Sequence, residues 1–284
     1  MEERQPSQTA LGAAGYRAAH QDLDGGAIFN DRFARAILGA EAGAIIFALT
    51  ADPTQTFTRI FMAARSRIAE DALAAAVRRG VRQAVVLGAG LDTLSLRDPH
   101  AEHGLRVFEV DHPATQAWKL RRLAEVDLPV PASVTFAAID LETEDLGRGL
   151  LTAGFEPHQP AFFLWLGVVP YLRPDAIRET LRYIASLPES EVVFDYSEPL
   201  ENYPEERRAE MVALASWAAQ RGEPWLSHFN PQDIARDLED LGFDDLEDLD
   251  RAGIAARYLG APASGPAGPG PHVMRARRRP PSPA

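Results

Sequence analysis

Residues able to do chemistry concentrate where apolar runs meet glycine. In VVLGAGLDT, a strand-like run leads directly into Gly88, Ala89 and Gly90. Glycine lets the chain turn tightly and brings backbone close to a ligand that a Cβ would hold away. About twenty residues on, FEVDHP offers Glu109 and Asp111, carboxylates able to accept bonds from both hydroxyls of a ribose. Residues i and i+2 of a strand share a face, so for one acid alone to bind, the strand must break near Val110. Asp140 precedes Leu141, a pairing that can bond an exocyclic amino group and pack on a ring. WLGVVPYL then supplies Trp165, Leu166 and Gly167, with Tyr171 just beyond, and aromatic rings there can face a cation.

The glycine pattern lacks the third glycine of G-x-G-x-x-G, because Leu91, Asp92 and Thr93 follow Gly90. A ligand without a pyrophosphate has less need of a close glycine-lined helix N-terminus, which shifts weight from a dinucleotide toward S-adenosylmethionine. An NAD-dependent oxidoreductase is the first rival reading. A protein that binds adenosylmethionine without transferring its methyl group, as a scaffold or regulator, is the second.

The elements that must position these groups alternate along the chain. Strand-like runs occur at Ala84 to Gly88, Arg106 to Val110, Ser133 to Ile139, Ala161 to Gly167 and Glu191 to Tyr196, with helical patterns between them. Continuous apolar strands separated by helices predict a parallel sheet covered on both faces. A helix from about Arg59 to Arg79 carries Ile60, Phe61, Ala64, Ile68, Ala72 and Val77 on one face, with Arg65 at the edge of that stripe and Gly80 as its stop. Before it, GGAIFNDRFARAIL and the stretch around Tyr16 to His20 suggest amphipathic helices forming a lid. NPQDIARDLEDLGF reads as a helix capped by Asn230 with Pro231 at its first position. Ala261 to Pro271 reads as a flexible loop, His272 to Ala276 as a last strand, and Arg277 to Ala284 as a solvated basic tail.

Composition bounds the rest. With 284 residues, 46% of them hydrophobic, the chain can bury a full-sized core. Without cysteine it has neither disulfides nor thiolate chemistry, which fits a reducing cytoplasm. A net charge of -12 disfavours a phosphate backbone as partner. The N-terminal stretch has no secretory pattern and no run approaches membrane-spanning length, so neither secretion nor a membrane is expected. No His/Asp/Glu cluster has ligand spacing, so no metal is expected.

Four motifs in order, FMAARSRIAEDAL, GVRQAVVLGAGLDTLSLR, VFEVDHPATQAWKLRRL and FFLWLGVVPYL, resemble the leucine carboxyl methyltransferase family, and more closely its bacterial branch of polyketide-directed O-methyltransferases. The resemblance runs from about Thr9 to Met274. It implies an α/β fold, a doubly wound, mostly parallel, seven-stranded Rossmann-like methyltransferase sheet with an N-terminal helical lid: residues 1–80 as lid, 81–276 as the adenosylmethionine-binding domain, 277–284 as tail. It further implies that Arg65 binds the cofactor carboxylate, Gly88, Ala89 and Gly90 the methionine moiety, Asp111 or Glu109 the ribose, and Asp140 and Leu141 the adenine, with Trp165 and Leu166 beside them. Arg17, in YRAAH, matches an N-terminal Arg-Ala pair that helps close the site. Two positions depart from the pattern: Leu166 stands where many members have glutamate, and Leu94 where many have arginine.

The cofactor's methyl is already activated, so positioning and desolvation carry most of the catalysis. The acceptor expected is a small natural-product-like molecule, methylated on a carboxylate or a hydroxyl. A carboxylate arrives ionised, whereas a phenol benefits from a base. Candidate bases are His228 and His20, Tyr196 and Tyr203 can orient the acceptor, and GEPWLSHF places Trp225, His228 and Phe229 on the acceptor side with Tyr171. Whether the protein is a monomer or a homodimer stays open.

Overall fold

Apolar runs become strands and amphipathic stretches become helices. The computed structural model describes residues 8–52, 55–97, 99–220, 222–260 and 268–279. The fold is α/β with a seven-stranded, mostly parallel sheet, and the chain divides into two compact units, Met1–Phe155 and Glu156–Ala284.

The first unit opens with three helices, α1 (Gln8–Asp24), α2 (Ala34–Leu38) and α3 (Ala42–Thr50), followed by the long α4 (Thr56–Arg78). Next come β1 (Gln83–Leu87), α5 (Leu94–Arg97), β2 (Arg106–Asp111), α6 (Pro113–Glu125), β3 (Val134–Ala138) and α7 (Leu146–Thr152). Its strands run in the order β3-β2-β1, all parallel. α4 buries Phe61, Ile68, Leu73 and Val77, each worth about 1.5–3 kcal/mol of apolar transfer. It ends where Gly80 takes φ +106°. Arg65, expected at the edge of that stripe, lies within the buried face.

The N-terminal helices share a core with the strand-end loop that follows β1. Ala14, Ala18 and Ala19 of α1 pack in one cluster with Ile37, Leu38, Ile46, Leu91, Leu96 and Leu123. Gly15 permits the close crossing of α1 and α3, since a Cβ there would stand 2.5 Å from Leu49 Cδ1 and 2.7 Å from Ile45 Cγ2.

The second unit contains β4 (Ala161–Trp165), α8 (Pro174–Ser186), β5 (Glu191–Ser197), α9 (Glu205–Ala219), α10 (Pro231–Asp240), β6 (Asp245–Leu249), α11 (Arg251–Tyr258) and β7 (Pro271–Arg277). Its strands run β4-β5-β7-β6. β4 and β5 are parallel, while β7 is antiparallel to both β5 and β6. β6 escapes a hydrophobicity reading because DLEDL carries three acids, which an edge strand tolerates.

Two expectations change in detail. Asn230 occupies the cap position of α10 with Pro231 next, but caps no helix N–H with its side chain. Its Oδ1 instead accepts Asn202 Nδ2 at 2.9 Å. Arg277, expected to open the tail, closes β7, and the N–H of Arg278 donates to Ser190 O at 2.8 Å. Most of the loop expected from Ala261, and the tail from residue 280, lie outside the described residues.

Candidate functional site

At the carboxyl end of β1 the chain turns through Gly88 (φ +61°) and Gly90 (φ +43°), both in the left-handed region that side chains avoid. Ala89 stays tied to β2 by its N–H to Val110 O at 3.0 Å. The N–H of Gly90 donates to Asp111 Oδ2 at 2.5 Å, and that of His112 to Asp111 Oδ1 at 2.7 Å. Burial lifts the Asp111 carboxyl above the ordinary range, opposed by those two N–H groups. A carboxylate offers about four lone-pair sites, so Asp111 retains acceptor capacity for hydroxyl donors. The close approach that Gly90 permits in this structure is to α1: a Cβ there would stand 3.1 Å from Ala10 Cβ.

β2 runs unbroken through Asp111, in register with Ala138 of β3. The expected break near Val110 is absent, and the partners of the two acids distinguish them instead. Glu109, 1% exposed, accepts Lys119 Nζ at 2.6 Å and the hydroxyl of Ser95, so it is spent inside the protein. Lys119, 2% exposed, also donates to Asp92 O at 2.8 Å. Lys119 was not singled out from the sequence. Its signal was there: Gln116, Lys119 and Leu123 are the buried residues of α6, at helical spacing.

Arg17 is buried in α1, donating Nη2 to Leu91 O at 2.6 Å and Nε to Asp31 Oδ2 at 3.0 Å. Burial would raise Asp31, but Arg17 and Arg97 outweigh it and hold its carboxyl below the usual range. Arg97 in turn donates Nη1 to Glu70 Oε2 at 2.6 Å and Nε to Thr93 Oγ1 at 3.2 Å. His20 is enclosed. Its Nδ1 meets Asp24 Oδ2 at 2.9 Å and its Nε2 accepts the N–H groups of Ile28 and Phe29 at 3.2 and 3.4 Å, so neither nitrogen is left for a substrate proton. Arg65, 6% exposed, projects from α4 within the same unit. Asp140 closes its own turn, with Oδ1 accepting Glu142 N at 3.0 Å and Oδ2 the Thr143 hydroxyl at 2.9 Å. Leu141 beside it is half-buried.

In the second unit, β4 ends at the fully buried Trp165, whose indole N–H has no hydrogen-bond partner among the described residues. Leu166 is half-buried, and Gly167 follows at φ +72° with its N–H donating to Asp195 Oδ1 at 2.5 Å. Asp195 was not singled out from the sequence, although it stands near the end of a strand-like run as Glu109 and Asp111 do. Tyr171 closes the short 3-10 turn Val169–Tyr171. The segment from Trp225 to Phe229 is laced to that turn by Leu226 N and Ser227 N on Pro170 O and by Ser227 Oγ on Leu172 O, and to β5 by Phe229 N on Ser197 O. Trp225 and His228 meet edge to face at 6.3 Å. Burial depresses His228 below the usual imidazole value, with Glu201 opposing, so its neutral form prevails at neutral pH.

Of the two tyrosines expected to orient the acceptor, Tyr196 is engaged within the protein. Tyr196, 1% exposed, donates its hydroxyl to Asp248 Oδ2 at 2.7 Å and stacks on His272, its partner across β5 and β7. Burial and the Asp248 charge push its ionisation far up, so it is a structural donor and not a base. Tyr203 is buried, its ring under Arg207 at 5.8 Å. His272 completes the cluster, with Nδ1 3.1 Å from both Asp248 oxygens and Nε2 3.2 Å from Glu198 Oε1. Burial pulls His272 down, yet the two carboxylates raise it above the ordinary value. Among the described residues, no group of three His, Asp or Glu is placed to hold a metal ion, and no helix is long and apolar enough to cross a membrane.

Comparison with known proteins gives this geometry a context. The family model described as "Leucine carboxyl methyltransferase" matches residues 10–185. A Bacillus subtilis (strain 168) protein named "Putative S-adenosyl-L-methionine-dependent methyltransferase YktD" is 35% identical over 199 residues, covering 66% of this chain and 64% of that protein. A Mycolicibacterium smegmatis (strain ATCC 700084 / mc(2)155) protein named "Putative S-adenosyl-L-methionine-dependent methyltransferase" is 29% identical over 271 residues, covering 89% of this chain and 87% of its own length. Thus this chain spans just under two thirds of the Bacillus relative and most of the mycobacterial one. Among solved structures, a DUF574 family protein from Streptomyces avermitilis shares the fold at a TM-score of 0.57 and 16% identity, over 94% of this chain and 97% of that one.

Proposed function

The chain belongs to the leucine carboxyl methyltransferase family, and from that premise we propose that it is an S-adenosylmethionine-dependent O-methyltransferase acting on a small, natural-product-like carboxylate or hydroxyl. The reading rests above all on the turn after β1, where two left-handed glycines meet the partly satisfied carboxylate of Asp111 inside the family match. Adenosylmethionine supplies a methyl already activated by its sulfonium. Groups of the first unit fit such a ligand in kind: Asp111 as acceptor for ribose hydroxyls, Asp140 and Leu141 for the adenine, Arg65 for the carboxylate, and Gly88, Ala89 and Gly90 as close backbone. Glu109 leaves this set because Lys119 and Ser95 occupy it.

Tyr171, Tyr203, Trp225 and Phe229 are proposed for the acceptor, with His228 as base where the acceptor is a phenol. Arg17 and Tyr196 are assigned to structure by their partners. Residues 1–80 serve as cap and 81–279 as catalytic domain, in a cytoplasmic protein that needs neither metal nor nucleic acid.

Thermal unfolding with adenosylmethionine, S-adenosylhomocysteine or NAD tests this. A ligand at about a thousandfold over its dissociation constant adds about 4 kcal/mol of apparent stability. We expect the first two to stabilise and Arg65→Ala to abolish the effect. Stabilisation by NAD alone would sink the reading in favour of an oxidoreductase, and binding without turnover of any carboxylic or phenolic acceptor would leave a non-catalytic binder. With a phenol, His228→Ala should lower kcat by about 10²–10⁴, while a carboxylate acceptor is spared. The phenol rate should persist through neutral pH and fall only on acidification through the depressed His228 value.

A further inference from the structure

We propose that Lys119 is a positioning residue of the cofactor loop, fixing with Arg17 the shape of residues 88–93 before any ligand arrives. This deepens the reading above, since it treats that loop as the cofactor's. Two successive carbonyls of the loop are each capped by a buried cation: Leu91 O by Arg17 at 2.6 Å and Asp92 O by Lys119 at 2.8 Å. Each cation carries its own buried carboxylate, Asp31 for Arg17 and Glu109 for Lys119.

Three N–H groups of the loop, and that of Leu94 just beyond it, are also satisfied from within the protein. Ala89 N–H donates to Val110 O, Gly90 N–H to Asp111, Asp92 N–H to Ala89 O, and Leu94 N–H to Asp92 Oδ1. Buried ion pairs are poor sources of net stability, because desolvation offsets their attraction, and where they matter it is often by selecting one conformation. Two of them on adjacent carbonyls of one short loop fit that role. A loop already shaped this way does not have to lose conformational freedom when a ligand binds, and affinity rises accordingly. Glu109 therefore serves the ligand through Lys119 and the loop.

The test measures S-adenosylhomocysteine binding by calorimetry, alongside melting temperature, for the wild type, Lys119→Arg, Glu109→Gln and Glu109→Gln/Lys119→Met. The double variant removes the donor without stranding a buried charge. We expect it to bind at least tenfold more weakly than Glu109→Gln at a similar melting temperature, while Lys119→Arg stays within about threefold of wild type. Equal affinity of the double and single variants would overturn the proposal. So would a failure of Lys119→Arg to bind although folded.

Should the double variant fail to fold, amide hydrogen exchange on the unaltered, ligand-free protein decides. The amides of Ala89, Gly90, Asp92 and Leu94 are expected to be protected already, with S-adenosylhomocysteine adding less than about threefold. Near-free exchange that the ligand then suppresses would overturn the clamp. A wild type that binds no S-adenosylhomocysteine at all would instead count against the methyltransferase reading, and the exchange data would still judge the clamp.

Discussion

The turn after β1 and the turn after β4 use one device in two settings. In each, a glycine with positive φ comes after a buried strand, and a glycine N–H donates at 2.5 Å to an aspartate on the next strand: Gly90 to Asp111 on β2, Gly167 to Asp195 on β5. The two turns part in how their remaining polar groups are held. The first turn is closed by charges, with Arg17 and Lys119 on its carbonyls and α1 against Gly90. The second is continued by neutral backbone bonds to the segment that holds Trp225 and His228. Buried charges give a stiff but all-or-none arrangement, because removing one strands its partner. Neutral bonds are each worth about 1 kcal/mol and fail one at a time.

The largest effect should come from Arg17→Ala, which leaves Asp31 buried without its closest cation and Leu91 O without its donor. A loss of about 3–5 kcal/mol is expected in chemical denaturation; a loss below about 1 would mean that the first turn is not charge-held. Gly90→Ala comes next, since it meets both the left-handed φ and Ala10. It should cost more than the ~1–2 kcal/mol that left-handed strain by itself sets. A cost within that range would show that α1 yields freely. Ser227→Ala, which removes one neutral bond to Leu172 O, should cost about 1 kcal/mol and be read most clearly as faster exchange of the amides of Leu226 and Ser227.

The pH dependence should carry opposite signs in the two units. Asp31 is depressed, so its contribution is complete above its unfolded value near ~3.9 and is lost as pH falls through its folded value. His272 is raised, so its contribution is complete below its unfolded value near ~6.5 and is lost as pH rises through its folded value. Melting curves between acid and mildly alkaline pH for Asp31→Asn and His272→Gln should flatten the acid and the alkaline flank respectively. Both flanks unchanged would refute the assignment.

Much of this was legible in the residue order. Five expected strands and the long helix before β1 arise from apolar periodicity, a local property. The glycine turn and Asp111 are marked by residue types at a strand end. The family came from four motifs spread along the chain, each set by local neighbours. β6 was hidden because its acids mask the alternation that marks a strand, and only its pairing with β7 makes it one.

The order of residues could not settle which polar groups are spent on one another. Glu109 and Asp111 are equivalent in type and on one strand face, and only the arrival of Lys119 from α6 and Ser95 from α5 takes Glu109 out of reach. Tyr196 and His20 look like candidate chemistry until Asp248, Asp24 and backbone amides brought in by the fold claim their polar atoms. Residue types and periodicity determined most of the elements, the glycine turn and the family motifs. Tertiary structure decided which acids and bases are spent within the protein, because a buried polar group must find a partner and the partner is brought by the fold.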